Sequence, residues 1–193
     1  MSERGRLVAR FEVQSTSIEG VRVVRRLAIE DERGFLSRVF CADEFAQHGM
    51  MAGIAQINHT LTKLPGMVRG MHFQAPPHAE AKLINCVRGE VFDVAVDLRK
   101  GSPTFLHWFG LRLSPENKCG LYIPPGCAHG FQTLTDNCEL IYLHSAAYAP
   151  SAEGGIHPND PSVSIAWPLP VSMMSNRDQG YPMINPSFEG LVL

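Results

Sequence analysis

The sequence predicts an all-β protein, a sandwich or barrel of short strands, and three observations carry that expectation. Apolar and polar residues alternate with period two in several runs. The runs are short and fairly evenly spaced. Clusters of Gly, Pro, Ser, Asn and Asp separate them. In order, strands are expected at residues 21–29, 82–87, 91–98, 105–113, 121–123 and 139–144. The run 91–98 is the clearest: Phe92, Val94, Val96 and Leu98 point one way, Asp93, Ala95 and Asp97 the other, as in a strand with one buried face. Turns are marked by Gly101-Ser102-Pro103, Ser114-Pro115-Glu116-Asn117, Pro124-Pro125-Gly126 and Thr135-Asp136-Asn137. One short helix fits residues 43–49. The tail from Pro168, with scattered Pro and Gly, is expected to wrap the barrel surface.

The chain has 193 residues and neither an internal repeat nor a low-complexity linker, so one domain over residues 1–193 is expected. A net charge of -2 with no basic block argues against nucleic acid as a partner. No apolar run reaches the ~18 residues a membrane span needs, and residues 1–10 lack an apolar signal core. A cytoplasmic location is therefore expected. The five cysteines agree with it, being odd in number and without CxxC spacing. They read as small buried hydrophobes, with a thiol nucleophile as the alternative.

Polar and titratable residues concentrate in three segments beside strands. The first holds Gln56, Asn58, Arg69, His72 and Gln74, with Lys82 following; the second runs through Pro124-Pro125-Gly126-Cys127-Ala128-His129; the third holds Tyr142, Tyr148 and Glu153. As a strand, residues 69–74 would put Arg69, Met71 and Phe73 on one face, and Gly70, His72 and Gln74 on the other, with Gly70 leaving space beside His72. Histidine suits proton transfer near neutral pH, although a core histidine satisfied by hydrogen bonds fits the same pattern. Arg69 and Lys82 beside it resemble an anion site. Alone, Tyr142 reads as a core tyrosine, Asp178 as a loop residue, and Asp93 and Asp97 as structural acids turned toward polar neighbours.

Gly120-Leu-Tyr-Ile-Pro-Pro-Gly126-Cys-Ala-His129 resembles the second motif of the cupin superfamily, a strand, turn and strand of a small β-barrel. Many cupins bind a metal through a His-x-His pair and a Glu. Here Gln74 stands two residues after His72, and His78 and Glu80 have the wrong spacing, so no metal is expected.

Further motifs narrow the resemblance. Arg69-Gly-Met-His72-Phe-Gln, Gly89-Glu-Val-Phe-Asp-Val-Ala-Val-Asp97-Leu-Arg99, Ser102-Pro-Thr-Phe105, Ile123-Pro-Pro-Gly-Cys-Ala-His129-Gly-Phe131 and Asn159-Asp-Pro161 resemble the dTDP-4-dehydrorhamnose 3,5-epimerase family over roughly residues 31–178. The resemblance implies a cupin-like double-stranded β-helix (jelly roll) with short peripheral helices, a homodimer, no cofactor, and a nucleotide-linked 4-keto-6-deoxy sugar as substrate. It places His72 as the proton-abstracting base, Asp178 as the acid orienting it, Tyr142 as the opposed proton donor and Lys82 beside the sugar ketone. It places His129 in the active site and Arg33 and Arg69 around the diphosphate. Gln56, Asn58, Tyr148, Glu153 and Arg177 match substrate-contacting positions, Arg177 standing where the family usually has lysine.

Elementary chemistry agrees with those roles. A C–H next to a ketone becomes removable when the enolate is stabilised, and one aimed donor contributes about 3–4 kcal/mol. A positioned base contributes roughly 10²–10⁴ in rate. Inversion then needs a second group delivering a proton to the other face. Arginine suits diphosphate because its planar fork donates two hydrogen bonds.

The chain departs from the family after Arg33-Gly34. Leu36 replaces an aromatic and Arg38 replaces a glutamate, and the loop between Asn58 and Arg69 is one residue longer. Both substitutions bear on nucleotide recognition, with loss of a stacking surface and reversal of a charge. A CDP- or GDP-linked sugar, and epimerisation at C3 only or C5 only, are therefore the alternatives. A non-catalytic sugar-nucleotide-binding cupin is the remoter one.

Overall fold

The computed structural model describes residues 9–193. The alternating segments become strands β1 (Phe11–Ser15), β2 (Arg22–Arg26), β3 (Ile29–Asp31) and β4 (Gly34–Leu36), then helix α1 (Ala42–Ala46). There follow β5 (Gln56–Thr62), β6 (Val68–Gln74), β7 (Lys82–Arg88), β8 (Val91–Asp97) and β9 (Trp108–Leu113). The chain continues through β10 (Cys119–Ile123), β11 (Cys127–Thr133), β12 (Cys138–His144), β13 (Glu153–Gly155) and α2 (Asn176–Gln179). One sheet runs β1-β2-β10-β7-β12-β5, the other β13-β6-β11-β8-β9, and β3-β4 form a separate hairpin. Every strand pair is antiparallel, as a jelly roll requires.

Between the two sheets, one end is packed with apolar side chains, among them Ile84, Cys86, Ala95, Leu121, Phe131 and Leu140. That plug leaves the other end free for polar residues. Outside the first sheet, Phe45, Met50 and Met51 of the α1 region pack on Phe11, Leu83, Tyr122 and Leu143. Outside the second, the C-terminal tail lays Ile156, Val163, Trp167 and Phe188 over Val94, Val96 and Leu98. The tail thus does wrap the barrel.

Several elements differ from the sequence expectation. β8 is buried on both faces, not one, because the tail covers the side opposite the core. Residues 21–29 break into β2 and the start of the β3-β4 hairpin. Residues 105–107 stay outside β9, since Leu106 takes a left-handed φ of 63° that no strand accommodates. β5, rich in polar residues, escaped prediction. The helix at 43–49 is present, but it ends at Ala46.

All five cysteines are free. Cys86, Cys127 and Cys138 are buried, whereas Cys41 and Cys119 are half-buried. Burial pushes the thiols of Cys86 and Cys127 up to about 12, which removes the thiolate a nucleophile needs.

Candidate active site

At the open end of the barrel lies a cavity of about 200 Å³. The first sheet lines it with Asn58, Thr60, Lys82, Tyr142 and His144, and the second with Arg69, His72, Gln74 and His129. Strand register makes this convergence. His72 pairs with His129 across β6 and β11, Lys82 with His144 across β7 and β12, and Asn58 with Tyr142 across β5 and β12.

The face pattern expected for residues 69–74 is corrected by a bulge. Between His129 and Phe131, β11 advances two residues while β6 advances three, from His72 to Arg69. The extra residue turns Arg69 to the same side as His72. Met71 remains on the outer, tail-covered face, and Phe73 packs against that cluster while also lining the cavity. Gly70 does not leave space beside His72. A Cβ there would lie 2.5 Å from the Cα of Gly130, so the absent side chain lets two backbones meet.

His72 Nε2 lies 2.7 Å from Asp178 Oδ1. Asp178 is delivered by α2, whose N-cap Ser175 accepts from the Asp178 backbone N–H at 3.1 Å. Burial pushes the Asp178 carboxyl up, but hydrogen bonding and charge from His72 and the Gly70 N–H outweigh it and hold it below the usual range. The ionised carboxylate only accepts, so Nε2 is the nitrogen that donates to it, with Arg177 Nη2 also 3.2 Å from Nε2, and Nδ1 is the ring nitrogen that Asp178 leaves free. The edge of Tyr181, 5.7 Å away by ring centroids, packs on His72.

Opposite, on the first sheet, stands Tyr142. Burial and the nearby Asp93 charge raise its phenol well above the ordinary value, so it stays protonated. His129 packs edge-on against it at 5.7 Å and is held by the fully buried Asp93 at 2.8 Å. Burial lowers His129, and the Asp93 charge only partly restores it, so the ring favours its neutral form. Lys82 Nζ donates to the His72 carbonyl at 3.3 Å and pairs with Glu80 at 3.2 Å. Arg177 pairs with Glu153 at 2.8 Å at the rim, and Glu153 also accepts from the Tyr148 hydroxyl at 2.9 Å.

Of the residues expected at the site, His72, Tyr142, Lys82, Asn58, Arg69, His129, Tyr148, Glu153 and Arg177 line the cavity. Asp178 lies directly behind His72. Gln56 stands one step back, bonded to Asn58 and to the Tyr148 N–H, each at 3.0 Å. Arg33 and Arg38 are not brought to the cavity within one chain. The β3-β4 hairpin projects away from the barrel, where Arg33 pairs with Asp31 and is 89% exposed. Arg38 pairs with Glu44 of α1 at 2.6 Å, so its charge is already matched. Four contributors were missed. His144 could have been found, being two residues from Tyr142 on the same strand face. Glu80 precedes Lys82 by two but lies in a loop. Asp93 needs the β8-β11 register, and Tyr181 needs the tail. Among the described residues no group of three or more His, Cys, Asp or Glu is arranged to hold a metal ion.

A cupin-like barrel holding a carboxylate-backed histidine and a facing tyrosine around a lysine is the architecture of an acid–base isomerase. Comparison with known proteins gives the family. The model of the family described as dTDP-4-dehydrorhamnose 3,5-epimerase matches residues 15–186, and the chain belongs to that family. A dTDP-4-dehydrorhamnose 3,5-epimerase of Shigella flexneri is 42% identical over 167 residues, covering 86% of this chain and 92% of the relative. A dTDP-4-dehydrorhamnose 3-epimerase of Streptomyces niveus is 42% identical over 163 residues, covering 84% and 78%. The crystal structure of a 4-keto-6-deoxy sugar epimerase from the novobiocin gene cluster of Streptomyces spheroides superposes with a TM-score of 0.85 at 39% identity, covering 90% of this chain and 87% of that one.

Proposed function

We propose that the chain epimerises a nucleotide-linked 4-keto-6-deoxy sugar, converting dTDP-4-dehydro-6-deoxyglucose to dTDP-4-dehydrorhamnose. The observation that carries this reading is the placement of His72 on one sheet and Tyr142 on the facing sheet of one cavity. His72 Nδ1 takes the proton from the carbon beside the ketone. Asp178 stabilises the imidazolium that forms. Lys82 stabilises the enolate oxygen. Tyr142, kept protonated by burial, returns a proton to the opposite face. Arg69 offers the diphosphate its fork, and Arg177 contacts the substrate from the rim. Acid, base and cation all come from the chain, so the reading calls for no cofactor. The exposed apolar residues of the hairpin, Phe35 at 59% and Leu36 at 71%, support a homodimer that covers them. A cytoplasmic location fits a nucleotide-sugar enzyme. No helix among the described residues is long and apolar enough to cross a membrane.

A second reading, epimerisation at C3 alone, is favoured by the Streptomyces niveus 3-epimerase, which is as similar to this chain as the 3,5-epimerase of Shigella flexneri. Incubation with dTDP-4-keto-6-deoxyglucose in D₂O, followed by NMR, separates them. Deuterium at C3 and C5 with the rhamno configuration supports the first reading. Deuterium at C3 alone supports the second. Exchange only with CDP- or GDP-linked sugars would overturn the nucleotide assignment, and no exchange with any of them would overturn catalysis.

A further inference from the structure

The cavity holds three imidazoles backed by carboxylates: His72 by Asp178, His129 by Asp93 and His144 by Glu80, at 2.7, 2.8 and 2.8 Å. The reaction proposed above uses the first and packs the second against Tyr142. It gives the third nothing to do, although His144 and Glu80 are both buried.

Their contacts form a line from the cavity rim to Lys82. The Gln56 amide donates to Asn58 Oδ1 at 3.0 Å, which turns the Asn58 Nδ2 toward His144 Nε2 at 3.4 Å. Asn58 Nδ2 can only donate, so His144 Nε2 accepts and Nδ1 carries the proton. Nδ1 then donates to Glu80 Oε2 at 2.8 Å. The other oxygen, Oε1, is 3.2 Å from Lys82 Nζ. An ammonium has three protons. Lys82 gives one to Glu80 and one to the His72 carbonyl, and the third is left for the cavity.

We propose that His144 is a positioning residue for Lys82, acting through Glu80: by holding Oε2 it keeps the carboxylate from taking Lys82 with both oxygens, and so leaves one ammonium proton for the substrate oxygen. The inference rests on the proposed function for what that proton does, but not for the geometry. A carboxylate two residues from a buried lysine, with nothing else to hold, collapses onto it and cancels the charge that the enolate needs. His144 prevents this by occupying Oε2. Its ring lies parallel to Tyr142 at 6.1 Å, so a phenyl ring can replace its packing without its donor.

The test uses two variants of the whole chain. His144→Phe should lower kcat about tenfold to hundredfold, the effect of losing one charge-assisted contact in the transition state, with KM within about threefold. Adding Glu80→Gln to it removes the charge that captures Lys82, and should bring kcat back to within about fivefold of wild type. A merely structural role predicts that the two losses add, and a double variant as slow as or slower than His144→Phe overturns the proposal. Crystal structures of wild type and His144→Phe read the same point without substrate. Glu80 turned with both oxygens on Lys82 in the variant supports the inference, and an unmoved Glu80 overturns it. Wild type that exchanges no 4-keto sugar would overturn the proposed function and leave the crystallographic comparison to decide on the clamp.

Discussion

Asp178→Asn isolates the contribution of the carboxylate behind His72. The side chain keeps its size, and its oxygen can still accept from the Gly70 N–H, which lies 3.4 Å from Oδ2. What is lost is a charge-assisted hydrogen bond, donated at 2.7 Å by His72 Nε2 to a carboxylate only 2% exposed. Bonds of that kind contribute about 1.5–3 kcal/mol, or roughly 10- to 150-fold in rate. A second effect adds to it. An asparagine that presents its amide to Nε2 drives the imidazole proton to Nδ1, the atom that must accept from the substrate. The equivalent change in a Ser-His-Asp triad costs about 10⁴. The expected fall in deuterium wash-in is therefore between about 10² and 10⁴, with the dissociation constant for dTDP, measured by calorimetry, changed less than about threefold. Wash-in within tenfold of wild type would refute the assignment of His72 as a base supported by Asp178.

Tyr142→Phe removes a hydroxyl on the face opposite His72. Deuterium should still enter at the carbon facing His72, while inversion falls about 10²-fold or more; equal losses of exchange and inversion would take the donor role from Tyr142. Asp97 is a stability group. Burial pushes it up, but hydrogen bonds from Arg99, Ser102 and Thr104 outweigh this and hold it at about 2. A depressed carboxyl stabilises the fold above the unfolded-state value near 4 and loses that contribution as pH falls through about 2. Asp97→Asn should thus cost about 2 kcal/mol in urea unfolding at pH 7, at about 1.4 kcal/mol per pKa unit, and clearly less at pH 3; a gap that does not shrink would contradict the linkage. Gly130→Ala would place a Cβ 2.4 Å from the Met71 sulfur and 2.9 Å from the Arg69 carbonyl. The sulfur can move and the carbonyl cannot, so calorimetry should show a Tm lower by roughly 2–10 °C, from about 1–3 kcal/mol of overpacking.

The site is split between the two sheets for a physical reason. A jelly roll is filled by side chains from both inner faces. Here the filling is apolar at one end, where Phe131 and Leu140 sit, and polar at the other. The barrel wall around the polar end is stiff, so groups on facing strands hold their separation without help from substrate. The tail then adds what the barrel lacks. It covers the outer face of β8 and carries α2 to the back of His72.

The sequence by itself determined the fold class, because period-two alternation and the intervening turn residues are local signals that need no partner strand. It determined most of the cavity list too, through motifs around His72, His129 and Tyr142. It could not determine register, since a strand's pairing depends on residues far along the chain. The bulge that swings Arg69 beside His72, the pairing of Lys82 with His144, and the approach of Asp93 to His129 are all consequences of register. Nor could it determine where the tail comes back: Asp178 and Tyr181 reach His72 because the tail packs Trp167 and Phe188 on the outer sheet and bonds Met173 to Val68. Arg33 and Arg38 show the converse. Arg33 sits where the family resemblance expects it and Arg38 where the chain departs from the family, yet the β3-β4 hairpin carries Arg33 off the barrel and Glu44 holds Arg38, so within one chain tertiary structure puts both away from the cavity.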